Sequence, residues 1–213
     1  MILDTENNTV NHIASLKADG VTDVIRYLSP ATHEEKVIKP GEAKVLAAAG
    51  IRVGYVFETW GRPHGATQGQ SDGKFVKSYA PTVGAHKGQI VFYAVDFDAQ
   101  ARDLPGILAA FTAFQKELNG LYRVGAYASG YVGSYLKAHG VSVGTWLTCS
   151  SGFAGTKAAI ASGDYIMRQG LPHKLAGMDT DPDLCGTVNV ANGDIGTAIP
   201  FATEETHAYE GSE

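Results

Sequence analysis

The sequence has only two cysteines in 213 residues, Cys149 and Cys185. Two thiols cannot build a disulfide framework, and a chain of this length buries enough apolar surface not to need one. Whether the two pair is left open. Long hydrophobic runs are also missing. No apolar stretch reaches the roughly 20 residues of a membrane span, and no basic segment followed by an apolar run opens the chain, so no classical signal peptide is read. Positive charge is scarce: 17 Lys and Arg against 22 Asp and Glu give a formal charge of -5 with no basic stripe. That argues against a nucleic-acid partner and against attraction to an anionic membrane.

Several chemical signatures are lacking as well. Neither GxGxxG after the first strand nor GxxxxGK[ST] occurs, which removes the phosphate loops of nucleotide-binding folds. The seven histidines show no HExxH or other tight metal spacing; His64 and His173 fall in loops near proposed strand ends. There is no GxSxG, and Ser129 in YASG has no obvious base partner. Cys149 reads as a structural thiol. No cofactor is expected.

What is plentiful is glycine, 26 residues, which suggests many tight turns. The stretch QIVFYAVDFDAQ at 89–100 organises the rest. Its short, β-branched and aromatic run reads as a strand buried on both faces, and it delivers Asp96 and Asp98 two residues apart. Residues i and i+2 of a strand face one side, so both carboxylates are expected in one space. Further strands are read at 1–4, 21–29, 51–57, 123–128 and 146–148. Helices are read between them at 10–19, 39–49, 74–83, 104–118 and 131–138, the fourth with the clearest apolar stripe. The segment 61–73 reads as a polar, glycine-rich loop. After residue 148 the strands come with reduced helices.

Eight strands alternating with helices favour an α/β fold, a single modified (β/α)8 TIM-like barrel over residues 1–201, with a loose tail at 202–213. A doubly wound open sheet is the runner-up. In a barrel, strand C-termini open on one face, so Asp4, Glu58, Asp96, Asp98, Asp179 and Asp181 converge there. Crowded carboxylates raise the pKa of the most buried one, and a protonated acid beside an ionised one is what glycosidic cleavage requires. Aromatics near these ends, Tyr27, Trp60, Tyr93, Tyr127 and Trp146, offer faces on which sugars stack. Arg26, inside the second strand, needs a partner such as Asp4 or a place at the pocket mouth. The rival reading is Mg²⁺ or Ca²⁺ held by Asp96, Asp98, Asp179 and Asp181.

An ordered series of segments carries a resemblance: LDT at 3–5, VIRYLS at 24–29, the helix ending AAAG at 47–50, and VGYVFE at 53–58. FYAVDFD at 92–98, VGAYASG at 124–130, RQG at 168–170 and GMDTD at 177–181 complete it. Together they cover most of residues 1–185. The chain resembles the bacterial glycoside-hydrolase-like domain family, relatives of the family 25 lysozymes (N-acetylmuramidases). The resemblance implies a modified eight-stranded barrel with an acidic cleft. Asp4 is similar to the family's first-strand aspartate, Asp96 to the first carboxylate of the lysozyme-like DxE, and Asp179 to the aspartate near the last strand. Where the lysozymes carry the DxE glutamate this chain has Asp98. Glu58, characteristic of the glycoside-hydrolase-like branch, is expected to take the acid role, with Asp98 competing. Asp181, Gln169 and the aromatics are expected to contact substrate. The resemblance further implies peptidoglycan or a related glycan as partner, action by a monomer, and secretion or phage delivery to the cell wall. A wall-binding protein without turnover is the alternative.

Overall fold

The computed structural model describes residues 1–30, 36–175 and 177–185. The expected tail 202–213 and the end of the expected 1–201 domain lie outside the described residues. Seven strands pair in parallel in chain order: β1 (Ile2–Asp4), β2 (Asp23–Leu28), β3 (Arg52–Phe57), β4 (Ile90–Ala94), β5 (Arg123–Ala128), β6 (Thr145–Leu147) and β7 (Met167–Gln169). β8 (His173–Leu175) and β9 (Met178–Cys185) form a hairpin with Gly177 at φ +82°. β9 then runs antiparallel to both β7 and β1 and closes an eight-stranded barrel. The expected barrel is therefore present. Two details differ: there is a ninth strand, and the closing strand is reversed because a hairpin, with no crossover helix, delivers it. Asp179 and Asp181 consequently stand near the start of the last strand, and that start lies on the same side as the other strands' C-terminal ends.

Strand alternation sorts the side chains into two layers. Ile25, Val56, Phe92, Tyr127, Trp146 and Met167 pack together inside the barrel. Val24, Tyr55, Phe57, Val91, Tyr93 and Val124 face outward and meet the helices. The helices are α1 (Ile13–Ala18), α2 (Glu42–Ala48), α3 (Ala66–Tyr79), α4 (Leu104–Leu118), α5 (Gly130–Ala138) and α6 (Thr156–Ser162). α4 has the expected bounds. Pro105 sits in its first turn, Leu104, Ile107, Phe111, Phe114 and Leu118 are buried, and Asn119 at φ 47° with Gly120 turns the chain out.

The segment 61–73 corrects the sequence reading, since α3 already begins at Ala66. Its glycines serve a close helix crossing. A Cβ at Gly69 would lie 2.0 Å from the Ala110 carbonyl oxygen, and one at Gly73 would lie 2.8 Å from Glu117 Cβ. Glycine gives up helix propensity here so that α3 can lie against the α4 backbone at Ala110 and against the Glu117 side chain. Gly69→Ala is expected to destabilise the fold by about 1–3 kcal/mol through overpacking, although alanine is the better helix former. Urea unfolding of the variant checks this; a stability gain would show that the helices separate freely.

Candidate active site

The inward alternation that fills the barrel also sets its rim. Continuing the inward parity one step past each strand places Glu58 after Val56 and Asp96 after Ala94, both beyond the strand ends. Asp4 ends β1 facing inward and is buried, at 1 % exposed. Gln169 ends β7, also buried, and its amide is a hub. Its Nε2 donates to Asp4 Oδ2 at 3.0 Å and to Asp181 Oδ2 at 2.9 Å, and its Oε1 accepts from Tyr127 Oη at 2.8 Å. Tyr27 Oη donates to Asp4 Oδ1 at 3.3 Å. Five strands thus contribute to one polar floor.

Glu58 and Asp96 are brought together by a residue that the sequence reading passed over. Gly61 has φ +63°, and a Cβ there would lie 2.8 Å from Asp96 Cβ and 3.3 Å from Glu58 Oε1. Its carbonyl accepts from the Asp96 N–H at 2.8 Å, while Ser29 Oγ donates to the Glu58 carbonyl at 2.6 Å. The two side chains converge on the space a methyl would fill. Burial, with Asp96 repelling, pushes Glu58 up to about 7; the Lys36 ammonium opposes this. Asp96 is raised as well, by partial burial, again with Lys36 pulling it down. Burial pushes Asp4 up to about 8, the hydrogen bonds from Gln169 and Tyr27 acting the other way and Asp181 reinforcing the rise. Asp181, half-buried, is raised by desolvation. Gly61→Ala is expected to separate the pair, because both the left-handed φ and the contacts reject a methyl. The Glu58 titration followed by NMR should fall toward the ordinary carboxylate range; an unchanged midpoint would show that Gly61 does not hold the pair.

Other candidates are placed differently from the sequence reading. Asp98 does not share the Asp96 space, since the strand ends at Ala94 and the alternation rule no longer applies. It is exposed, and its Oδ1 accepts from the Ala154 N–H at 2.8 Å. Arg26 faces outward, one residue off the inward parity, and is fully buried. Its Nε donates to Glu42 Oε1 at 2.8 Å, so its partner is Glu42 and Asp4 is on the other face. Tyr93 also points outward, donating to Asp72 and stacking on Phe114 at 4.3 Å between centroids. Trp146 points inward but is sealed at 1 % exposed, edge-on to Tyr127 and donating Nε1 to Asp183 Oδ1 at 2.7 Å. It supports the floor and presents no face to a sugar. Trp60, by contrast, is 73 % exposed on the loop after β3. Asp179 is exposed and ion-paired to Lys174 at 3.2 Å, while its backbone carbonyl receives Thr5 Oγ1 at 2.6 Å.

The metal reading finds no support in this geometry: among the described residues no three His, Cys, Asp or Glu side chains gather as ligands. Ser129 is a helix cap, its Oγ accepting from the Val132 N–H at 3.3 Å. A groove of about 950 Å³ lies on the outer helical layer between α3 and α4, lined by Thr67, Gln70, Leu108 and Thr112 among others. It includes none of the barrel-end carboxylates. Among the described residues no helix is long and apolar enough to cross a membrane. Lys36, Gly61 and Asp183 are the residues of this region that were not read from the sequence. Asp183 had a signal in the alternation of aspartates at 179, 181 and 183; Lys36 and Gly61 had none.

Comparison with known proteins agrees with the fold. The chain is similar to the uncharacterized protein FadG of Bacillus subtilis (strain 168), 30% identical over 161 residues, 69% of this chain. It spans only 27% of that relative's length. The crystal structure of the Mycobacterium tuberculosis Tat-secreted protein Rv2525c in complex with L-tartrate superposes with a TM-score of 0.75. The match is 17% identical and covers 86% of this chain and 94% of that one. The modular autolysin LytC from Streptococcus pneumoniae, in complex with a synthetic peptidoglycan ligand, gives a TM-score of 0.55 at 13% identity, covering 86% of this chain and 46% of that one. Residues 14–175 match the family model described as Rv2525c-like, glycoside hydrolase-like domain, and with that match added to the barrel and its acidic rim, the chain belongs to this family.

Proposed function

We propose that this domain is a glycoside hydrolase that cleaves a β-1,4 bond of bacterial peptidoglycan with Glu58 as general acid. The observation that carries the reading is the Glu58–Asp96 pair at the barrel mouth. One carboxyl, pushed up to about 7, holds a proton near neutrality beside a second, more exposed one. Glu58 gives its proton to the glycosidic oxygen as the bond to the anomeric carbon breaks. Asp96 takes a proton from the water that attacks that carbon, or stabilises the positive charge there, in part by orienting the acetamido group. Asp4, buried and held by Gln169 and Tyr27, anchors the floor, and Asp181, Gln169 and Asp179 position sugar hydroxyls. Tyr27 and Tyr127 line the floor and Trp60 offers a stacking face at the rim. Likeness to a peptidoglycan-binding autolysin and to a Tat-secreted protein supports a role at the cell wall.

The test is turbidity loss and release of reducing ends from purified cell walls with wild type, E58Q and D96N. Wild-type cleavage is expected, with both variants strongly impaired and chelator without effect. Full activity in both variants overturns the assignment. Binding of wall fragments with no new reducing ends selects the second reading, a wall-binding protein without turnover. The tie between Asp98 and the Ala154 backbone favours that second reading, because it removes one carboxylate from the centre.

A further inference from the structure

The polar floor continues below Asp4 into the barrel. β9 carries aspartates at alternate positions, so when Asp181 points inward Asp183 does too. The register seats Asp183 opposite Gln169 on β7 and Ile2 on β1, one step beneath the Asp4–Asp181 pairing. Asp183 is 5 % exposed. Its Oδ1 accepts the Trp146 indole N–H at 2.7 Å, and its buried Oδ2 has no partner. Asp4 differs, since both its oxygens accept a hydrogen bond, from Tyr27 and from Gln169.

An ionised carboxylate needs donors at both oxygens, and a dry anionic oxygen is strongly unfavourable. Among the described residues, the charges acting on Asp183 are Asp4 from β1 and Asp181 from its own strand, both acidic. Tyr27 of β2 and Glu58 beyond β3 stand around Asp4, with Tyr127 of β5 held on Gln169, and none of these supplies a cation. We infer that Asp183 is a neutral carboxylic acid built into the barrel interior, a positioning residue whose O–H donates into the Asp4–Gln169–Asp181 network and holds the cleft floor in shape. Burial and the Asp4 carboxyl both drive the acid toward its protonated form, well above the ordinary range. The link to catalysis rests on the reading of Asp4 as part of the hydrolytic floor; the protonation state does not.

A carboxyl whose folded pKa exceeds its unfolded value stabilises fully below the unfolded pKa, about 4. That contribution is lost as pH rises toward the folded pKa. Asparagine reproduces the neutral acid, accepting from Trp146 and donating from its other end, but cannot ionise. Urea unfolding of wild type, D183N and D183A at pH 5 and pH 8 tests this. D183N is expected to match wild type at pH 5 and exceed it at pH 8, with a shallower loss of stability between them. D183A, which leaves the Trp146 N–H without its acceptor, is expected to be weaker at both. D183N weaker than wild type by the same margin at both pH values overturns the inference. Should D183N not fold, the Asp183 carboxyl ¹³C signal of the wild type, assigned through its response to Trp146→Phe, decides: a protonated shift at pH 7 supports, titration below pH 5 overturns. These readouts need no catalysis, so they stay decisive if cell walls are not cleaved. Where they are cleaved, D183N is expected to keep the wild-type pH profile and D183A to lose it.

Discussion

Glu58→Gln is expected to reduce cell-wall cleavage by about 10²–10⁴-fold, the usual contribution of a general acid, while the folded barrel persists. Glutamine keeps the shape and the hydrogen bonds of a neutral glutamic acid but has no proton to deliver. Activity of the wild type is expected to fall as pH rises through about 7, where Glu58 gives up its proton. It should also fall on the acid side, where Asp96 gains one; its raised pKa moves that limb upward from the ordinary aspartate range. The bell-shaped profile of kcat/KM on solubilised wall fragments measures both limbs. An alkaline limb that stays in place in E58D, or is missing in the wild type, would assign the acid to another group. The stability of E58Q gives an independent control. Relief of the repulsion from Asp96 predicts a variant at least as stable as wild type at pH 8, so a collapse of the fold would mean that Glu58 is structural.

Glu42→Ala is expected to destabilise the domain by about 3–5 kcal/mol, the cost of leaving one member of a buried ion pair unpaired. That is a large share of the roughly 5–15 kcal/mol that holds a typical domain together. Arg26 and Glu42 are both sealed from solvent. Glu42 Oε1 also accepts Thr9 Oγ1 at 2.8 Å and the Thr9 N–H at 3.2 Å. Arg26 Nη1 donates to the Thr5 carbonyl. The pair therefore clamps the segment 5–9, directly after Asp4, onto β2 and α2. Replacing both residues with methionine is expected to cost less than either single truncation, because no buried charge is then stranded. Equilibrium urea unfolding of E42A measures the loss, and that of E42M, R26M and the double methionine variant measures the coupling; strictly additive losses would show that the pair does not act as a unit. Since the clamp borders Asp4, loosening it is also expected to broaden the Asp4 titration.

Glu58 and Asp96 were legible because a buried strand ends where its apolar run ends, and the next inward position meets the cleft. α4 was legible from its stripe and its end signals. Asp98 was misread, because two-residue alternation holds only while the chain stays extended, and β4 stops at Ala94. Proximity in sequence sets Arg26 and Tyr93 near the cleft, yet one-residue parity sends both to the outer face. Gly61, Gly69 and Gly73 looked alike as loop glycines. Only contacts with Asp96, Ala110 and Glu117 distinguish the one that closes the carboxylate pair from the two that let helices touch.

By itself the sequence determined the first six strands, the helices between them and the acidic strand ends, which follow from local periodicity and residue types, and an ordered series of segments carried the resemblance to the family. Tertiary structure decided which carboxylates meet. Pairing of a reversed last strand against the first puts Asp181 and Asp183 beside Asp4, and desolvation there sets the proton affinities. Neither quantity is local: closure depends on the whole ring of strands, and burial depends on what every neighbour excludes.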